Sequence, residues 1–378
     1  MHLPLNPNRL TLACILCCLC LLVAGLWPFN FLVNNHAYLI LDGRGLQFDA
    51  PVEQSKRDLG GMVFTPNPLV CRPIDGCEEG ALTIAVELRA EREARSCLKS
   101  IVELHRSDGT NALSLGQWKS FLIVRSFNTP LARGKPYREI GVDRILAPGR
   151  TGLLTISSGR HGTDIYFDGQ QVQNYPGVRL LKENDTLEGH RVYLGNSPEL
   201  SCPWAGSVLG FAIFGKTWTP AEEVESHKPG AGGPLACSSS QGIATACYRL
   251  VNSNGEWITD LSGSANHLWK PRHLVFKKKL LGFWTSQSFP ASDLMVNMLG
   301  FVPFGLLVYL RLIMTGRRRA QICLLLAISM GLAVSLAIEV TQVWLPGRDS
   351  SLPDVVANTV GSAIGGAIAG LGGWSAKR

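Results

Sequence analysis

Four stretches of this chain lack the alternation of apolar and polar positions that a soluble fold needs. From Leu10 to Val33 no residue is charged, and most positions are Leu, Cys, Ala, Val or Phe. Leu294–Tyr309 is a second apolar run, which reaches Met314 if Arg311 turns its guanidinium toward the bilayer surface. Ala320–Leu345 is a third, interrupted by a single charge at Glu339, and the glycine-rich Val355–Trp374 is a fourth. A helix needs about 20 apolar residues to cross the roughly 30 Å hydrocarbon core of a bilayer. The pattern predicts four transmembrane helices, the last three over residues 293–313, 320–345 and 354–374.

Between the first and second runs the pattern changes to short segments rich in β-formers. Leu82–Leu88, Phe121–Arg125, Gly152–Ser157 and Arg191–Leu194 are examples, separated by Gly, Asp and Asn turns. This spacing predicts an all-β sandwich, and the lack of any long helical period argues against an α/β fold. The expected organisation is an N-terminal anchor (1–36), a sandwich with flanking segments (37–272) and a helical membrane domain (273–378). A cleaved signal peptide also begins with a short basic start such as Arg9. Here Trp27, Pro28, Phe29 and Phe31 follow with no small-x-small cleavage site, which favours a retained anchor.

Charge then orients the spans. Arg9 precedes the first run, Arg311, Arg317, Arg318 and Arg319 lie between the second and third, and Lys377 and Arg378 follow the fourth. With four spans these groups share one side, which basic residues mark as cytoplasmic. Both termini are then cytoplasmic and the sandwich is extracytoplasmic. Lys277, Lys278 and Lys279 fall on the opposite side, where a solvated or headgroup-facing stretch accounts for them. Only 17% of the 378 residues are charged, against about a quarter in soluble domains, and mean hydropathy is +0.13. Disorder, a collagen-like fibre and a small disulfide scaffold are excluded. The net charge of +7 marks topology, and no nucleic-acid partner is expected.

Cysteine usage agrees. Cys14, Cys17, Cys18, Cys20 and Cys323 lie in apolar runs, where they act as small apolar residues. Cys71, Cys77, Cys97, Cys202, Cys237 and Cys247 lie in the insertion, an even number suited to an oxidising compartment. Cys71–Cys77 and Cys237–Cys247 are local pairings that leave Cys97–Cys202, one of fifteen connectivities six cysteines allow. No CxxC or close Cys/His spacing points to zinc, so no metal site is expected.

Two segments of the insertion carry a resemblance. Asp164–Val172 resembles the strand–turn–strand hairpin of laminin-G/concanavalin A-like domains, with Asp168-Gly169 as a tight turn. Ala205–Phe214 followed by Trp218–His227 is similar to their closing strand and short helix, in which Thr219 caps, Pro220 starts and Glu222 completes a capping box. Asp260–His267 is a loop phrase that accompanies such domains. The resemblance implies a concanavalin A-like sandwich and a glycan- or envelope-binding module. Trp118, Tyr166, Trp204 and Trp218 are candidates for stacking on sugars, with core or rim aromatics as the plainer role. Asp168 is a candidate structural calcium ligand, with a turn aspartate as the plainer role; no other cofactor is expected. Glycan hydrolysis needs two opposed carboxylates, and Glu87, Glu91 and Glu93 sit among arginines in what reads as a solvated loop.

The sharpest pattern lies in the last three runs. Asp293 and Asn297 stand four apart at the start of the second, Glu339 and Gln342 three apart near the end of the third, and Asp354 and Asn358 four apart at the start of the fourth. At 1.5 Å per residue, Asn297, Glu339 and Asn358 are level, about 6–9 Å below one membrane boundary. Arg348, in the loop between the third and fourth runs, is placed to pair with these carboxylates. Helix N-caps account for Asp293 and Asp354, and close helix packing accounts for Gly361, Gly365 and Ala369. Glu339 sits at the unfavourable end of its own helix dipole and points instead to a polar site within the membrane.

Asp293–Gly305, Ser335–Gln342 and Arg348–Gly361 together resemble the VanZ-like family, whose pattern of Asp, Asn, Phe, Pro, Gly, then Ser, Ile, Glu, Gln, then Arg, Asp, Asn, Gly is present in order. The large sandwich between the first and second helices departs from ordinary members, which have a short loop there. The resemblance implies a bacterial membrane protein, expected in the inner membrane; the family's named member is associated with resistance to a glycopeptide antibiotic, and no known reaction is implied. The expected function is binding of an envelope lipid, lipid-linked glycan or amphiphile, with a role in resistance or exopolysaccharide, and with the bilayer and an envelope glycan as partners. An integral-membrane enzyme acting on a lipid-linked substrate is the alternative, although no catalytic motif is established.

Overall fold

A computed structural model describes residues 6–40, 45–51, 59–72, 76–128, 136–226, 235, 237–239, 242–250, 255–275, 280–282, 291–315, 319–346 and 348–372. The chain divides into two units, Met1–Phe31 with Val275–Arg378, and Leu32–Leu274. The expected Lys277–Lys279, Arg317, Arg318, Lys377 and Arg378 markers, His227, and the last two residues of the fourth run lie outside the described residues.

Five helices occur among the described residues: α1 (Pro7–Leu26), α2 (Pro220–Ser226), α3 (Ala291–Ile313), α4 (Ala320–Gln342) and α5 (Leu352–Leu371). All but α2 have the length and composition to cross a membrane. The Asn6 side chain caps α1 by accepting from the Asn8 N–H at 2.9 Å, and Pro7 occupies a first position that needs no N–H. The helix stops at Leu26 although the apolar run continues to Val33, because a residue preceding proline, here Trp27 before Pro28, is driven out of the helical region. Similarly α4 ends at Gln342, three residues short of the expected Leu345.

Small residues set the distance between α3 and α5. A Cβ built on Gly361 would stand 2.0 Å from the Met298 carbonyl oxygen, and one on Gly365 would stand 2.0 Å from that of Val302. Only glycine permits such backbone approach, the usual way helices associate where no hydrophobic gain is available. Phe301, Phe304, Val308, Cys323, Ala327 and Ile338 form the buried centre of this unit. Arg311 does more than reach the surface: its Nε donates to Thr11 Oγ1 on α1 at 2.7 Å.

The second unit is a sandwich of two large antiparallel sheets. One runs in the order Gln170–Pro176, Gly162–Phe167, Thr151–Gly159, Leu82–Ala90, Gly206–Phe214, Leu46–Phe48, Ala37–Leu39, with Ala246–Arg249 also paired to Gly206–Phe214. The other runs Trp257–Ile258, Leu268–Trp269, Val63–Phe64, Arg191–Leu194, Ala94–His105, Asn111–Lys119, Phe121–Ser126, Arg138–Val142. Leu46, Phe48, Ile84, Val86, Val102, Leu104, Leu113, Leu115, Val208 and Phe211 fill the space between them.

The expected turn chemistry is present. Asp168 and Gly169 both take positive φ (50° and 74°) in a two-residue loop, the backbone that a right-twisted hairpin favours. Thr219 and Glu222 exchange hydrogen bonds at the start of α2, the Thr219 N–H donating to Glu222 Oε2 at 2.7 Å and the Glu222 N–H to Thr219 Oγ1 at 3.2 Å. Asp260 is buried and accepts from the Cys247, Ser262 and Asn266 N–H groups, tying the loop phrase to a strand. The disulfides are Cys71–Cys77, Cys97–Cys202 and Cys237–Cys247, with Cα separations of 5.8, 6.1 and 5.4 Å. Glu87 belongs to a strand, not to a solvated loop.

Candidate functional site

The polar positions expected in the helical unit converge. Asp293, Asn297, Glu339, Gln342, Arg348, Asp354 and Asn358 all line one cavity of about 590 Å³. It lies at the end of the unit where α1 and α4 finish and α3 and α5 begin. Leu21, Ala24 and Gly25 complete its wall from α1. Asp349 adds a further carboxylate, so four acidic groups face one arginine.

Local chemistry explains how each side chain is held. α5 begins at Leu352 with Ser351 as N-cap, so Asp354 stands in the first turn and is not the cap. α3 begins at Ala291, which likewise places Asp293 in a first turn. Both still gain from the positive helix end. The Ser351 side chain makes no capping bond. Instead its N–H donates to Oε2 of Glu339 at 2.7 Å. Glu339, only 2% exposed, is misplaced for the dipole of α4 but well placed for that of α5. A helix end thus accounts for Glu339 after all, across a chain separation of twelve residues.

Gln342 and Arg348 meet the other helix end. α1 leaves its last carbonyls without intrahelical partners. The Gln342 amide donates to the Gly25 carbonyl at 2.8 Å, and the Arg348 guanidinium donates to those of Ala24 at 2.8 Å and Trp27 at 3.1 Å. Asn358 donates to Ser335 Oγ at 2.9 Å. Asn297 interacts with the Asp354 carboxylate, beside Asp293. Three polar atoms of the lining remain: Asp354 Oδ1, Asn358 Oδ1 and Ser351 Oγ are buried with no hydrogen-bond partner among the described residues.

Residues 241–372 match the VanZ/LLP1 family model. The VanZ/LLP1 segment holds all nine polar residues of the cavity, Asp349 and Ser351 included, and it begins earlier than the motifs, within the last strands of the sandwich. Helix α1 lies outside it. No curated protein matches this chain. Among solved structures, a protein of Bacteroides ovatus assigned to carbohydrate binding is similar at 14% identity, over 60% of this chain and 59% of that one, with a TM-score of 0.39. Domain 4 of AbnA, an extracellular arabinanase from Geobacillus stearothermophilus in complex with arabinotriose, is similar at 12%, over 51% and 85%, with 0.35. A heptameric SAP-like pentraxin from Limulus polyphemus is similar at 11%, over 59% and 95%, with 0.34. This chain thus spans 59% of the length of the Bacteroides protein.

In the sandwich, the candidate sugar-stacking residues divide. Tyr166, Trp204 and Trp218 are buried, and Trp118 is exposed. Burial pushes the Tyr166 hydroxyl up to about 12, helped by Asp164 and Glu223. A different set of aromatics shares one outer face. Trp257 pairs across strands with Trp269, Trp269 with Phe64, and Phe64 with Tyr193. Their ring centroids are 6.3, 5.4 and 5.5 Å apart. Tyr193 in turn pairs with Glu103, which His105 Nε2 meets at 2.8 Å. Burial alone would lower the His105 imidazole, but Glu103 outweighs it and the net direction is upward. This row was not legible beforehand, because the sheet joins residues from four distant segments.

Asp168 Oδ1 accepts from the Leu153 N–H at 2.8 Å, as a turn residue does. Among the described residues no group of three or more His, Cys, Asp or Glu is arranged to hold a metal ion.

Proposed function

We propose that this is a bacterial cell-envelope membrane protein whose intramembrane cavity binds the headgroup of an envelope lipid, lipid-linked glycan or amphiphile. The observation that carries this reading is the pair of unpartnered buried acceptors, Asp354 Oδ1 and Asn358 Oδ1, in an acidic cavity. Buried acceptors without donors are costly, so a ligand bearing hydroxyl or ammonium donors gains there. A headgroup rich in such donors fits, and an anionic one does not. The sandwich is proposed to face outside, with both termini cytoplasmic and Arg9, Arg311 and Arg319 marking the inner side. Its aromatic row offers a stacking surface for an envelope glycan. The enzymatic alternative is less favoured, because Glu339 is engaged as a helix cap.

The test compares cells carrying wild type, Glu339→Ala and a sandwich deletion, at equal expression, for sensitivity to envelope-directed antibiotics and for lipid-linked glycan levels. Glu339→Ala is expected to lose the wild-type phenotype. Equal behaviour of the two would refute a working site in the membrane.

A further inference from the structure

Beyond the headgroup reading, the sandwich holds a second and chemically opposite cavity, of about 300 Å³. That is the lower end of the roughly 300–1,000 Å³ typical of small-molecule sites. It opens where the strand Ala94–His105 departs from regular pairing with Asn111–Lys119, between Ala94 and Lys99. The Cys97–Cys202 disulfide ties its two walls, with Ser96 and Lys99 on one side and Pro203 and Ala205 on the other. Among the described residues three cations line it, Arg92, Arg95 and Lys99, against the one carboxylate of Glu93.

The charges are not equally engaged. Arg92 donates to the carbonyls of Ala50 and Pro51 and so holds the neighbouring wall. Arg95, at the rim, pairs with Glu93 at 3.2 Å. Lys99 is half-buried, and no acceptor partners its ammonium among the described residues. Burial pushes this amine down, and Arg92 adds to the effect. A partly buried cation without a partner is stabilised by an anion entering the cavity. A bare inorganic anion would leave the apolar wall of Pro51, Pro203 and Ala205 without a partner.

We infer that this cavity binds an acidic saccharide, with the sugar carboxylate on Lys99 and the ring against the Pro51–Pro203 wall. Arg92 and Arg95 supply the surrounding positive field. The site is separate from the aromatic row and does not depend on the headgroup cavity.

The experiment titrates the full-length protein in detergent micelles with trigalacturonate, and with maltotriose as the neutral counterpart, by calorimetry. Wild type is expected to bind trigalacturonate and to ignore maltotriose. Lys99→Gln is expected to weaken binding by about tenfold or more, as loss of a charge-assisted contact implies. Lys99→Arg, which keeps the charge, is expected to stay within about threefold of wild type and guards against a mere folding defect. No binding of trigalacturonate by wild type, equal binding by Lys99→Gln at an unchanged melting temperature, or equal binding of maltotriose would each overturn the inference. Displacement by inorganic sulfate at the same concentration as trigalacturonate would overturn its saccharide part.

Discussion

Gly361→Ala is expected to destabilise the helical unit by up to about 2 kcal/mol net, although alanine is the better helix former. Helix propensity alone favours the substitution by about 1 kcal/mol. Against it stands the added methyl, 2.0 Å from the Met298 carbonyl oxygen. The obstacle is backbone within a packed helix, so α3 and α5 must separate to admit it. Overpacking of a tight interior costs about 1–3 kcal/mol, occasionally more, and separation also loosens the crossing at Gly365. The measurement is thermal unfolding in detergent, with Gly370→Ala as control. There the added Cβ meets only the Tyr309 hydroxyl, at 3.3 Å, a side-chain end that can shift. Equal melting temperatures for Gly361→Ala and wild type would show that the close crossing is not a source of stability.

The second large effect concerns Glu339, and two substitutions separate its roles. Glu339→Ala leaves the Ser351 N–H with no acceptor in a buried setting, which costs about 1–3 kcal/mol. Glu339→Gln keeps an oxygen at the same place and loses only the charge. A hydrogen bond to a charged group is roughly twice as strong as a neutral one, so the glutamine variant should lose about half as much. Unfolding measurements should therefore rank wild type above Glu339→Gln above Glu339→Ala. An alanine variant as stable as wild type would remove the capping role. A glutamine variant with wild-type stability but without the cellular phenotype would show that the charge serves function.

The spans were legible because the bilayer imposes one rule on length and polarity. The level placement of Asn297, Glu339 and Asn358 was an expectation from the fixed rise of a helix, and the three residues line one cavity. The hydrogen-bond partners of these residues were not legible. Arg348 reaches a carbonyl 324 residues away and Gln342 one 317 residues away, and only tertiary packing brings such groups together. For the same reason Glu339, unfavourable when judged on its own helix, becomes the cap of the next one. In the sandwich, turn residues such as Asp168-Gly169 and Thr219–Glu222 act locally and were readable. Which aromatics face outward depends on strand register across the sheet. Trp204 and Trp218, suggestive in one dimension, are core residues, while Phe64, Tyr193 and Trp269, each half-buried, and the exposed Trp257 form the outer row.

The central claim is that the acidic cavity of the VanZ/LLP1 segment holds an amphiphile whose headgroup donates hydrogen bonds to Asp354 and Asn358. Native mass spectrometry of the protein extracted from its own membrane in mild detergent tests this most directly, comparing wild type with Asp354→Asn. The account predicts that wild type retains an amphiphile bearing hydroxyl or ammonium groups, and that Asp354→Asn releases it at an unchanged melting temperature. Identical adducts on both proteins, or none on wild type, would contradict it.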